Sequence, residues 1–173
     1  MKIQLYNTYV PPVLLYGSEM WDMTVRSSNR LDTFDQWCLR HILRVPFTAH
    51  VTNEEVRLRS AQPPVTQTVM LRRLTSFGHI VRSDSNEDYI RALNAGINDP
   101  QKEWRRPRGR PRQSWLRTVE NDLKQQNLGL RSARHRAYDR EHGVKSWKQQ
   151  SVARYMVMMM MMMMMMWSHG RQC

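Results

Sequence analysis

Cysteine and acidic side chains are scarce in this sequence, and so is any long apolar run. The two cysteines are Cys38, inside an apolar helical pattern, and Cys173, the last residue. Two such positions make no disulfide framework, and they fit a reducing compartment. Asp and Glu total 15 against 27 Lys and Arg, a formal net charge of +12. That balance says little about fold and much about partners: polyanions, or anionic membrane surfaces. The longest apolar run, Tyr155–Trp167, has thirteen residues. Spanning a bilayer takes roughly 18–20. The opening residues have one early lysine, prolines Pro11 and Pro12 in the apolar part and no small-x-small cleavage site, which makes a poor signal peptide. The expectation is a soluble intracellular chain, nuclear or cytoplasmic, with no membrane partner. Alternating apolar and polar residues are also missing, so the strand signal is gone. An all-α fold follows, an irregular small helical array.

Helical patterns account for most of the chain. Residues 2–16 carry Ile3, Leu5, Tyr6, Tyr9, Val10, Val13, Leu14 and Leu15. They read as a helix broken or kinked at Pro11-Pro12 and ended by Gly17-Ser18. A clearer helix is capped by Ser28 or Asn29 and repeats Leu31, Phe34, Cys38 and Ile42, widened by Trp37, Leu39 and Leu43, until Pro46. Thr52-Asn53-Glu54-Glu55 is a capping box for a short helix to about Ser60. Beyond Gln62-Pro63-Pro64, a helix over 65–82 places Met70, Leu74, Phe77 and Val81 on one face. A small one over 87–94 ends at Gly96. Residues 113–127 form a helix facing Trp115, Leu116, Val119 and Leu123 inward, with Gly129 as its C-cap. A weaker, arginine-rich helix spans 132–150 on Ala133, Ala137 and Trp147, with Gly143 against it. The organisation expected is a helical region 1–97, a basic Arg/Pro/Gly-rich linker 98–112, a helical pair 113–150, and a disordered or low-complexity tail 151–173. The nine methionines Met158–Met166 in that tail read as a repeated ATG triplet rather than as a soft contact surface.

Catalytic constellations are not found. Asp-Asp does not occur. Glu54-Glu55 and Glu87-Asp88 stand at helix starts, where acids serve caps and dipoles. Glu120 and Asp122 read as a polar helix face. Metal-assisted phosphoryl chemistry needs two or three converging acids. Cys38 and His41 are spaced to share a metal, but a structural zinc needs four ligands and no second pair follows. His135, Asp139 and His142 read as a solvated face. There is no Gly-x-Ser-x-Gly and no cysteine in an activating setting. The expectation is no catalytic residue, no metal, no cofactor and no enzyme activity in these residues.

The stretch Trp104–Trp115 is the chemically dense part. Arg105, Arg106, Arg108, Arg110 and Arg112 lie within it without one acid, and Arg117 follows. Pro107 and Pro111 hold the backbone extended around Gly109. Glycine lets such a backbone approach a narrow minor groove, where arginines meet focused negative potential. The core Pro107-Arg108-Gly109-Arg110-Pro111 resembles an AT-hook. The same residues can track RNA phosphates with little sequence choice. Trp104 and Trp115 flank the strip where unpaired bases could stack, although Trp115 also starts an apolar helical face. The candidate nucleic-acid-binding set is Trp104, Arg105, Arg106, Arg108, Gly109, Arg110, Arg112 and Arg117. The bland reading beside it is a merely soluble basic linker.

Five blocks then point to a family. They are Leu14-Leu15-Tyr16-Gly17-Ser18-Glu19-x-Trp21, Trp37-Cys38-Leu39-Arg40-His41-Ile42-Leu43-Arg44, and His50-Val51-Thr52-Asn53-Glu54-Glu55-Val56. Phe77-Gly78-His79-Ile80-Val81-Arg82 and Arg108-Gly109-Arg110-Pro111-Arg112-x-x-Trp115 complete the set. In this order, over roughly residues 2–150, they resemble the C-terminal, thumb and post-thumb part of non-LTR (LINE-type) retrotransposon reverse transcriptases, also called endonuclease-reverse transcriptases. The resemblance implies RNA-template or target-DNA contact by a helical, arginine-rich surface. The aromatic-Ala-Asp-Asp motif of the palm, the fingers and the endonuclease are not in the sequence, and two cysteines cannot build the family's Cys-Cys-His-Cys knuckle. The expectation is therefore a non-catalytic nucleic-acid-binding remnant of such an RNA-directed DNA polymerase, associating with RNA or DNA and with a palm supplied by another chain. A free-standing AT-hook-like DNA-binding protein is one alternative. A helical assembly fragment without a nucleic-acid role is the other.

Overall fold

A computed structural model describes residues 2–46, 48–98, 108–109 and 114–138. Among them are seven α-helices, one short 3-10 turn and no strand, so the fold is all-α. The chain divides into two compact units. The division falls within the fourth helix.

The first unit contains α1 (Lys2–Leu14), α2 (Val25–Ile42), α3 (Asn53–Ser60) and the opening residues of α4 (Val65–Val81). Of the two expectations at Pro11-Pro12, a break or a kink, the break does not occur: α1 runs through both prolines. The prolines lie in its last turn, so they deprive only the carbonyls of Asn7 and Thr8 of amide partners, and Leu15 still donates to the Pro11 carbonyl. α2 begins one turn earlier than Ser28 or Asn29. Thr24 caps it, with Oγ1 accepting from the Ser27 amide at 3.2 Å. It ends with Arg44 at φ 55 and Val45 donating to the Arg40 carbonyl, a left-handed stop followed by Pro46. Arg40 then ties down the next loop, donating to the Val51 carbonyl at 2.8 Å and to Asn53 Oδ1 at 2.9 Å. Thr52 caps α3 by accepting from the Glu55 amide at 3.2 Å. Asp32 on α2 accepts from the Thr66 amide at 3.3 Å and its hydroxyl at 2.9 Å, which places a carboxylate at the positive end of α4.

The apolar core of this unit is small. Tyr6, Leu39 and Val56 are buried, with Val10, Cys38, Ile42, Leu43 and Val51 packed around them. A polar cluster crosses it: the Tyr6 hydroxyl donates to Asp35 Oδ1, and Arg57 pairs with Asp35 Oδ2. Arg57 also donates to the Pro63 carbonyl at 3.0 Å. The expected core positions Phe34 and Trp37 are instead exposed, at 42% and 57%. The inward stripe of α2 is set by Asp35 and Leu39. These positions are rotated from the one that carries the large rings.

The second unit contains the 3-10 turn Ser18–Met20, α4 from Met70 onward, α5 (Asp88–Ile97), α6 (Trp115–Lys124) and α7 (Leu130–Tyr138). Leu74, Phe77, Val81, Leu93, Val119, Leu123, Leu128, Ala133 and Ala137 form its core. Gly96 does not end α5 but lies inside it, where an added Cβ would stand 2.7 Å from Leu116 Cδ2. Gly129 is not the αL residue after α6. Asn127 takes that conformation at φ 56, and Leu128 donates to the Leu123 carbonyl at 3.0 Å. Gly129 instead starts α7, its carbonyl accepting from Ala133.

Asp122 is the main departure from the expected pattern. It is buried rather than on a polar face, and Arg73 of α4 grips it through Nε at 2.8 Å and Nη2 at 3.1 Å. Trp115, Thr118 and Asp122 recur at three and four along one flank of α6. Each meets a polar partner: the Trp115 indole donates to the Glu19 carbonyl at 2.7 Å, and the Thr118 hydroxyl donates to Asp22 at 3.1 Å.

Candidate nucleic-acid interface

Two residues of the basic strip are described, Arg108 and Gly109, and both are exposed. Gly109 has φ 118, a conformation that side chains rarely adopt, with open space where a Cβ would stand. Glycine is required there by backbone geometry rather than by crowding. Trp104, Arg105, Arg106, Arg110 and Arg112 lie outside the described residues. The strip leads into α6 at Ser114, whose Oγ accepts from the Arg117 amide at 3.4 Å. The Arg117 side chain is exposed. Trp115 is given to the core, half-buried and tied through its indole, so it is no free stacking surface.

Further basic side chains stand on α7, outside the candidate set drawn from the sequence. Arg131, His135 and Arg136 are exposed and Arg134 is half-buried. The helix presents only Ala133 and Ala137 as fully buried side chains. Small residues on the packed face let the α7 backbone approach its neighbours closely. Arg82 of α4 donates to the Ala137 carbonyl at 2.8 Å, capping the negative end of α7. The available signal was the absence of any acid from 130–138 beside an alanine pair spaced by four.

The titratable groups with altered behaviour are structural ones. Burial, reinforced by the hydrogen bond to Asp35, pushes the Tyr6 phenol well above its ordinary range. Burial raises the Cys38 thiol, and the Asp35 charge adds to this, the opposite of what activates a thiolate. Burial raises Asp122 against the pull of Arg73. His41 Nδ1 donates to the Trp37 carbonyl at 3.0 Å. Among the described residues no three His, Cys, Asp or Glu side chains converge to hold a metal, and no helix is long and apolar enough to cross a membrane. His135 is described; Asp139 and His142 lie outside the described residues. The chain matches no family model, no curated protein and no solved structure.

Proposed function

We propose that this chain binds nucleic acid without acting chemically on it, and that it derives from the thumb and post-thumb region of a LINE-type reverse transcriptase. The observation that carries the binding is the acid-free run of arginines around Gly109, in a chain of net charge +12. The exposure of Arg108, Gly109 and Arg117 supports it, as does the acid-free helix α7. The five ordered blocks support the origin. Four of them fall on helix ends and caps: Gly17 in the left-handed region, the C-terminal half of α2, the Thr52 cap and the end of α4. Polymerase chemistry is no part of the proposal, because the palm's acidic motif is not in these residues.

An AT-hook-like mode is the second reading, favoured by the open space and unusual φ at Gly109 between Arg108 and Arg110. Binding of an A·T-rich duplex, a G·C-rich duplex and a structured RNA separates the two. Preference for the RNA is expected from the reverse-transcriptase origin, and preference for the A·T-rich duplex from the minor-groove mode. An absence of binding to all three at physiological salt removes both.

A further inference from the structure

We infer that the outer face of α2 is a stacking site for single-stranded nucleic acid, with Phe34 and Trp37 as the base platform and Arg26 and Arg30 as phosphate contacts. The site is separate from the arginine strip and uses none of its residues.

Arg26, Arg30, Phe34, Trp37 and His41 recur at three and four, so they share one face of a continuous helix. That face spans roughly 22 Å at ~1.5 Å per residue. The Phe34 and Trp37 rings are near parallel, with centroids 6.3 Å apart and planes 24° apart. The His41 ring lies 4.2 Å from Trp37 and is held by its bond to the Trp37 carbonyl. Neither large ring belongs to the core of the unit.

An open groove of about 790 Å³ runs along this face. Among the described residues it is lined by Val25, Asn29 and Thr33 besides the two arginines and the two rings, none of them acidic. Neither Arg26 nor Arg30 pairs with an acid among the described residues. The acids of the helix are engaged elsewhere: Asp32 at the start of α4, and Asp35 with Tyr6 and Arg57.

Charge selects the occupant. A groove whose described charges are both cationic calls for an anionic ligand, and exposed flat rings call for planar groups with open faces. A strand with unpaired bases supplies both, whereas a duplex hides its base faces in its own stack. A second copy of this chain would bring another +12 against the groove.

The test titrates the full-length chain with oligouridine, oligodeoxyuridine and a duplex, reading anisotropy and tryptophan quenching. Trp37→Ala should weaken both single strands about tenfold, within the range of one base–aromatic stack. Trp37→Phe should keep most of that affinity while losing the Trp37 share of the quenching. Arg26→Ala/Arg30→Ala should lower the salt slope by about two. Duplex affinity should not change in any of these variants. Because both rings are exposed, circular dichroism should show the helices retained. Arg108→Ala/Arg110→Ala should leave the Trp37-dependent quenching intact even if duplex affinity falls, which separates this site from the strip. The ratio of the two single strands assigns the sugar. Unchanged single-strand affinity in both Phe34→Ala and Trp37→Ala overturns the inference. So does an equal loss on the duplex, or dissociation of an oligomer with nucleic-acid affinity intact.

Discussion

Asp35 holds the first unit together to a degree out of proportion to its size. It accepts from Tyr6 of α1 and pairs with Arg57 of α3, and both carboxylate and guanidinium are buried. Removing one partner strands a buried charge. Asp35→Ala should therefore cost about 3–5 kcal/mol in urea unfolding. Tyr6 makes the same cluster sensitive to alkali. Its folded pKa lies above its unfolded value, near 10.0, so the native state binds the phenolic proton more tightly. The stability this provides is complete below that value and is lost as pH rises through and beyond it. Tyr6→Phe should flatten the alkaline fall in stability, measured by denaturant midpoints across pH. None of this cluster was legible in the sequence, where Asp35 is one more charge in a helix and its partners lie 29 and 22 positions away. Phe34 and Trp37 misled for a related reason. Apolar rings at helical spacing mark a face, but not which of two faces turns inward. In the fold the face carrying Asp35 and Leu39 is the inward one.

At the level of elements, much more could be read. The Thr52 cap, the Pro63-Pro64 break and the face of Leu74, Phe77 and Val81 all stand where spacing placed them. These signals are local, between residues one or two turns apart. What failed was also local, but governed by contacts from outside the segment. Gly96 reads as a helix stop until Leu116 is seen to need its missing side chain. Asn127 can adopt the left-handed region, and it does so before Gly129 is reached. The acid at the start of α4 comes from α2 and not from its own first turn. Asp32→Ala should thus cost about 0.5–2 kcal/mol, the scale of a lost helix cap. On α7, the alanines are a packing requirement. Ala133→Leu should destabilise by about 1–3 kcal/mol through overpacking, read from thermal unfolding. Arg136→Ala on the exposed side should leave stability unchanged while reducing the salt slope of nucleic-acid binding by about one.

Over the whole molecule, charge was the most legible property. An excess of twelve positive charges requires no contact map, and it constrains partners more than fold. The all-α class followed just as directly from the missing strand pattern. The division into two units was not visible, because it falls within the unbroken pattern of α4 rather than at a turn or a composition change. Of the residues proposed to bind, Arg108, Gly109 and Arg117 are exposed, and Trp115, expected on the inward face of its helix, is held there by a carbonyl 96 residues away. The central claim is that this charge is used on nucleic acid. Its most direct measurement is the affinity of the chain, and of Arg108→Ala/Arg110→Ala, for RNA and duplex DNA across a salt series. The account predicts log affinity falling against log salt with a slope of about −3 to −5, made shallower by about two in the double variant. A slope near zero, or an identical slope in the two proteins, would contradict it.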